Sequence, residues 1–145
     1  MSTNEILEQF GIIRRQINRL GIIYLKEISL GPKQTMLVRF VHKHNLCTMT
    51  DISIGVASDK ASVTRMVNSL VRIKYLELTH SKDDHRVIFV SLGPKAEKII
   101  PEIERIYSLL SNDFVGALTA KERNMFLEIL KKTEPHLQRT IKESL

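Results

Sequence analysis

Between residues 5 and 28 the side chains Ile6, Phe10, Ile13, Ile17, Leu20 and Tyr24 recur every three or four positions with no proline among them, the spacing of one face of an α-helix. Ile12, Ile22 and Ile23 widen that apolar surface beyond one stripe, so the helix is expected to touch two neighbours. Gly31-Pro32 ends it and opens a second helix, with proline at a first helical position, running to about His44 and burying Met36, Leu37, Phe40 and Val41. Thr48 followed by Asp51 has the spacing of a capping box, in which each side chain satisfies an orphan backbone N–H, and predicts a short third helix ending near residues 55–57. Ser58-Asp59 offers a fresh N-cap for "KASVTRMVNSLVRIKY". There Val63, Met66, Val67, Leu70 and Val71 form the inward stripe and Lys60, Ser62, Thr64, Arg65, Asn68 and Arg72 face outward.

The period then shortens. "YLELTH" and "RVIFVSL" suit strands, with Ile88, Val90 and Leu92 on one face and Val87 and Phe89 on the other, and the polar "SKDD" between them predicts a β-hairpin. Gly93-Pro94 closes it. A helix is expected from Lys95 to about Asn112, bent at Pro101, and Thr119 with Glu122 caps a last helix that Pro135 should kink or interrupt. The fold class is therefore mainly α with a small β-hairpin wing: a winged helix-turn-helix between long N- and C-terminal helices. Those outer helices carry more apolar surface than so small a centre can cover, and pairing of two chains would bury it.

Charge sharpens this picture. The net charge is +6, and residues 31–90 hold nine basic against five acidic side chains while both ends are nearly balanced, a distribution that favours an anionic partner at the middle of the chain. The 145 residues suffice for one domain with a real core. No apolar run is long enough to cross a bilayer, "MSTNEILEQF" lacks the basic and apolar regions of a signal peptide, and one cysteine forms no internal disulfide, so a cytoplasmic location is expected.

Four stretches, in this order and spacing, resemble the MarR family of bacterial transcriptional regulators along nearly the whole chain. "SLGPKQTMLV" is similar to the start of that family's second helix and "TMTDISIGVASDKASVTRMVNSLVRIKYL" to its helix-turn-helix. "DDHRVIFVSL" resembles its wing, with Asp84 and Arg86 matching an Asp-x-Arg, and "LTAKERNMFLEIL" resembles the start of its final helix. Lys74 stands where the family usually has glycine, Leu78 replaces a common basic residue, His85 replaces the first arginine of a frequent Asp-Arg-Arg, and "LGPKA" replaces "LTxxG". The resemblance implies a single domain, 1–145, with dimerisation helices at 1–30 and 95–145 and a winged-helix DNA-binding lobe at 31–94. It implies a homodimer placing one recognition helix in each of two successive major grooves of double-stranded DNA, with wings at the flanking minor grooves. The function expected is a sequence-specific, ligand-responsive repressor acting on a pseudo-palindromic operator.

The residue types fit that chemistry. Short Ser62 and Thr64 let the helix backbone approach the groove, while Arg65 and Asn68 can bond to base edges, Arg65 being the leading candidate for readout. Lys60, near the helix N-terminus, can meet a phosphate. Arg86 can enter a narrow, electronegative minor groove, braced by Asp84, with Lys82 and His85 as phosphate partners. The bland alternatives are back-bonding for Thr64, simple surface polarity for Asn68 and a structural ion pair for Asp84 and Arg86. A small-molecule effector implied by the resemblance would meet Ile13, Ile17, Leu37, Phe40 and Val41, for each of which plain core packing is the favoured reading.

Other chemistries have less to stand on. His42, His44 and Cys47 hold potential zinc ligands, but positions 42 and 44 of a helix point to different sides and a fourth ligand is lacking, so no metal or other cofactor is expected. Cys47 as an oxidant sensor would need a stabilised thiolate, whereas its place between two helices asks for a small apolar residue. Ser81, Asp84 and His85 form a triad in letters only, crowded into one turn, and no phosphate loop or nucleophile elbow occurs, so an enzyme is not expected. The serious rival is a winged helix that binds protein, which would want an apolar recognition surface where "KASVTR" is polar and basic.

Overall fold

The computed structural model describes residues 2–145; Met1, the first residue of the expected domain, lies outside them. The elements follow in the order α1 (Thr3–Tyr24), α2 (Pro32–His44), β1 (Cys47–Thr48), α3 (Met49–Gly55), α4 (Lys60–Arg72), β2 (Leu76–His80), β3 (Ile88–Leu92), α5 (Ala96–Val115) and α6 (Ala120–Ser144). They fall into two compact units, one ending at Ser108 and the other spanning Leu109–Leu145. The boundary divides the segment 95–145 between them.

In the first unit, local caps set most of the boundaries. Ser2 Oγ accepts the Glu5 N–H at 3.2 Å and starts α1. The helix stops four residues before the expected Ile28, because Leu25 and Leu30 turn into the core, at 5% and 4% exposure. Burial of two leucines outweighs continuation of an exposed helix there. At α2, Gln34 Oε1 accepts the Gly31 N–H at 3.1 Å, and the buried Thr35 hydroxyl donates back to the Gly31 carbonyl at 2.9 Å. The Thr48–Asp51 capping box of α3 forms as expected, with N–H donations of 2.9 Å to Asp51 Oδ2 and 3.1 Å to Thr48 Oγ1.

The two helices of the helix-turn-helix both end in a left-handed residue that is not glycine. Ala57 follows α3 with φ 51° and Lys74 follows α4 with φ 65°. In each case a Schellman pair of bonds closes the end. Ser58 and Ala57 donate to Ser53 and Ile54, at 3.0 and 3.2 Å, and Tyr75 and Lys74 donate to Leu70 and Val71, at 2.9 and 3.0 Å. The α3–α4 turn is thus held by backbone geometry. Phe40 fills the space over Gly55, where an added Cβ would lie 2.0 Å from its ring.

The sheet has three strands, not the expected two, in the order β1-β3-β2, all antiparallel. Leu76, Leu78 and His80 of β2 face Leu92, Val90 and Ile88 of β3. The strand missed from sequence is β1, where Cys47 and Thr48 pair with Val90 and Phe89; two residues are too few to show an alternation. The first unit's core lies between this sheet and the helices: Leu37, Val38 and Val41 of α2, Ile52 of α3, Val63, Val67 and Leu70 of α4, and Ile103 of α5 are all at most 1% exposed. Arg39 ties α2 to α5, its Nε 2.9 Å from Glu104 Oε1 and its guanidinium carbon 4.2 Å above the Tyr107 ring.

Pro101 and Pro135 both lie inside unbroken helices, so Pro135 does not interrupt α6 as it was free to do. One missing N–H, costing about 3 kcal/mol, is outweighed by the turns formed on either side. In the second unit, Thr119 and Glu122 cap α6 reciprocally, Phe114 meets Phe126 edge-on at 5.7 Å, and Arg123 Nε donates to the Val115 and Leu118 carbonyls. No residue of α6 is buried.

Candidate nucleic-acid interface

On α4 the apolar residues Val63, Val67 and Leu70 are fully buried, and the opposite side presents Lys60, Arg65, Asn68 and Arg72 to solvent. Lys60 occupies the first helical turn, where the macrodipole is unfavourable to a cation, and the first turn itself holds no acidic residue. Helix stability does not account for that placement.

Asp59 takes the N-cap. Its Oδ1 accepts the Ser62 N–H at 2.8 Å and its Oδ2 accepts the Ser62 hydroxyl at 2.7 Å. Arg65 Nη2 in turn donates to Ser62 Oγ at 3.2 Å. The backbone and side-chain bonds from Ser62, helped by the charge of Arg65, hold the Asp59 carboxyl below its usual range. Thr64 Oγ1 donates to the Lys60 carbonyl at 2.8 Å, which is the back-bonding alternative raised for it. The methyl group and the oxygen lone pairs remain available to a partner. Ser62 and Thr64 are both half-buried.

In the wing, residues 81–87 form a tight loop. Ser81 Oγ accepts the N–H groups of Asp83 and Asp84 at 3.3 and 3.4 Å, and the Ser81 N–H reaches the Val87 carbonyl at 2.9 Å. Asp84 and Arg86 lie in this loop and not on a strand. Asp84 Oδ1 accepts both the Arg86 backbone N–H, at 3.0 Å, and its Nε, at 3.1 Å. The Arg86 side chain, and then its backbone N–H, hold the Asp84 carboxyl below its usual range. The arginine is nevertheless 91% exposed, so its direction is braced while its guanidinium faces water. Lys82 and His85 are exposed on the same loop, and the His85 carbonyl lies 3.0 Å from His80 Nδ1.

Of the residues expected to meet an effector, Leu37 borders a cleft that the other four do not line. Leu37 and Val41 are buried at 1% and 0% exposure, Phe40 is half-buried over Gly55, and Ile13 and Ile17 are half-buried on α1. That cleft, of about 100 Å³, opens beside the α3–α4 turn and is lined by Lys33, Met36, Leu37, Val56, Val63 and Met66 among others. Cys47 is 2% exposed; burial, and then the Asp51 charge, push its thiol up to about 11. His44 stacks on Phe40 with centroids 4.0 Å apart. Among the described residues, no three His, Cys, Asp or Glu side chains are placed to hold one metal ion, and no helix is long and apolar enough to cross a membrane.

Sequence reasoning recognised Asp59 as a cap but missed its bond to the Ser62 hydroxyl, because a cap pattern specifies the N–H partner only. It also missed Arg39, whose partners lie 65 and 68 positions away in the chain.

A capped α3–α4 pair with a solvent-facing cationic α4 and a braced arginine loop defines a winged helix-turn-helix. More narrowly, this is the MarR-type winged fold, and the comparisons with known proteins establish it. No family model matches the chain. It is 24% identical over 96 residues to an uncharacterized HTH-type transcriptional regulator of Bacillus subtilis, YwhA, covering 66% of this chain and 69% of that protein. A mutant MarR from E. coli complexed with operator DNA superposes with a TM-score of 0.80 at 22% identity, covering 90% of this chain and 96% of the other. Bordetella bronchiseptica BpsR, described with regulation of its DNA binding by 6-hydroxynicotinic acid, gives 0.80 at 19% identity, over 91% and 92% of the two chains.

Proposed function

We propose that this protein is a sequence-specific DNA-binding transcriptional regulator that acts as a homodimer on a pseudo-palindromic operator. The observation that carries the reading is the outward face of α4, where Lys60, Arg65, Asn68 and Arg72 are exposed on a helix whose other side is fully buried. Arg65 and Asn68 read base edges, Lys60 meets a phosphate, and Thr64 offers its methyl group and oxygen lone pairs to the groove. Arg86, braced by Asp84, enters the minor groove with Lys82 and His85 on the flanking backbone.

The dimer covers apolar residues that each chain leaves in water. On α1, Leu7 and Ile23 are 72% and 60% exposed, and on α6, Leu137 and Ile141 are 55% and 61% exposed. In this reading the helices of 1–30 and 95–145 serve pairing and 31–94 serves DNA. Repression by occupancy, relieved by a small-molecule effector, is the regulatory mode proposed, in the cytoplasm; the binding of DNA by MarR and the regulated DNA binding of BpsR support it. An effector shifts the equilibrium only if it binds one dimer shape more tightly than the other.

The test is selection of duplexes from the source genome, followed by titration with salt. Binding should weaken with a log–log slope of about −0.9 per phosphate neutralised, and Lys82→Ala should reduce that slope by about one such unit. A salt-independent interaction, or selective capture of protein in place of DNA, would overturn the proposal.

A further inference from the structure

The hydrogen bonds at the start of α4 have a direction fixed by chemistry. A carboxylate only accepts, so the single proton of the Ser62 hydroxyl points at Asp59 Oδ2, 2.7 Å away. Ser62 Oγ is left with lone pairs alone, and it is into these that Arg65 Nη2 donates at 3.2 Å. Asp59 thus fixes the polarity of Ser62, and Ser62 fixes the place of one corner of the Arg65 guanidinium. Arg65 is exposed, and an unrestrained arginine there would sample many rotamers, all but one of them useless for a planar, two-bond match to a base.

We propose that Asp59 and Ser62 are positioning residues for sequence readout, aiming the Arg65 guanidinium at the O6 and N7 acceptors of a guanine in the major groove. This rests on the reading of α4 as a recognition helix. It also changes the role of Ser62. With its proton committed to Asp59, the hydroxyl cannot donate to a phosphate, and its contribution to binding passes through Arg65. A guanine edge offers two acceptors to a fork of donors, which is the edge an arginine held at one corner discriminates best.

The experiment uses the full-length protein and the duplex it selects. Each base pair is replaced in turn, and the ratio of affinities for the original and replaced pair is measured. Arg65→Ala should collapse that ratio at one guanine position; if it collapses none, both the readout by Arg65 and the relay behind it fail. Ser62→Ala should lower the same ratio about fivefold, the factor one hydrogen bond commands, and leave the other positions alone. Asp59→Asn keeps the helix cap, since asparagine caps as well as aspartate. Its amide can present N–H in place of Oδ2, which takes one Ser62 lone pair, frees the hydroxyl proton to turn away and removes the carboxylate charge that favours Arg65. The ratio should therefore fall, though by less than in Ser62→Ala, with the thermal midpoint little changed. Ser62→Thr, which keeps the hydroxyl, should restore the ratio. In an Arg65→Ala background neither Ser62→Ala nor Asp59→Asn should alter it further. If Arg65→Ala collapses discrimination while Ser62→Ala and Asp59→Asn leave it intact, Arg65 reads unaided and the relay is wrong, with the recognition-helix reading standing.

Discussion

Replacing Lys74 by glycine should stabilise the protein, although it removes a side chain and a charge. Lys74 sits at φ 65° in the Schellman turn that ends α4. An L-residue in that region costs about 1–2 kcal/mol relative to its ordinary conformations, and glycine does not bear this cost. Against it stands the greater freedom of glycine in the unfolded chain, about 0.5–1 kcal/mol. The net gain is about 0.5–1 kcal/mol, or a rise of about 2–4 °C per kcal/mol in the melting midpoint for a chain of this size. The Lys74 backbone bonds to Val71 and from Lys95, at 3.0 and 3.1 Å, do not involve the side chain and survive the change. Urea unfolding at one fixed chain concentration measures the difference, because the midpoint of the proposed dimer depends on concentration. Lys74→Ala is the control: it removes the same charge and keeps the strain. Equal stability of the glycine and alanine variants would show that the strain of the left-handed turn no more than offsets the greater freedom of glycine, and would refute the predicted gain.

Cys47, with a thiol at about 11 against an ordinary 9.0, should react with an alkylating agent about a hundredfold more slowly than an ordinary thiol at pH 8; rapid labelling of the folded protein would contradict the burial described. Because the folded value is the higher one, its contribution to stability is present below pH 9.0 and is lost as pH rises toward about 11. Asp51, Asp59 and Glu122 have depressed values, from ordinary ones of 3.8, 3.8 and 4.5, so the stability they contribute is present above those values and disappears in acid. Acid titration of unfolding with Asp51→Asn should show a smaller loss than the parent. Gly55→Ala places a Cβ 2.0 Å from the Phe40 ring and should destabilise by about 1–3 kcal/mol, a cost that Phe40→Leu in the same chain should relieve.

Periodicity and capping made most of the fold legible in the sequence. The Thr48–Asp51 and Thr119–Glu122 boxes set α3 and α6 where the pattern put them, and the resemblance to the MarR family is met at the level of the fold. What escaped depended on contacts distant in the chain. The end of α1 follows from burial of Leu25 and Leu30, and β1 exists because β3 lies beside it. The site was legible as a set of outward cations on α4. The direction of its hydrogen bonds was not, because letters do not show that the Ser62 proton goes to Asp59 or the Thr64 proton to the Lys60 carbonyl. Of the proposed effector contacts, Val41 is buried in the core while Leu37 borders a cleft; apolar periodicity reads the same for a pocket wall as for packing.

The central claim is that two copies of α4 enter successive major grooves of one duplex. Hydroxyl-radical footprinting on a selected fragment tests it most directly. The account predicts two protected stretches centred about 10 base pairs apart, both weakened together on Arg65→Ala, with two chains bound per duplex. A single protected stretch with one chain bound, or no protection at low salt, would contradict it.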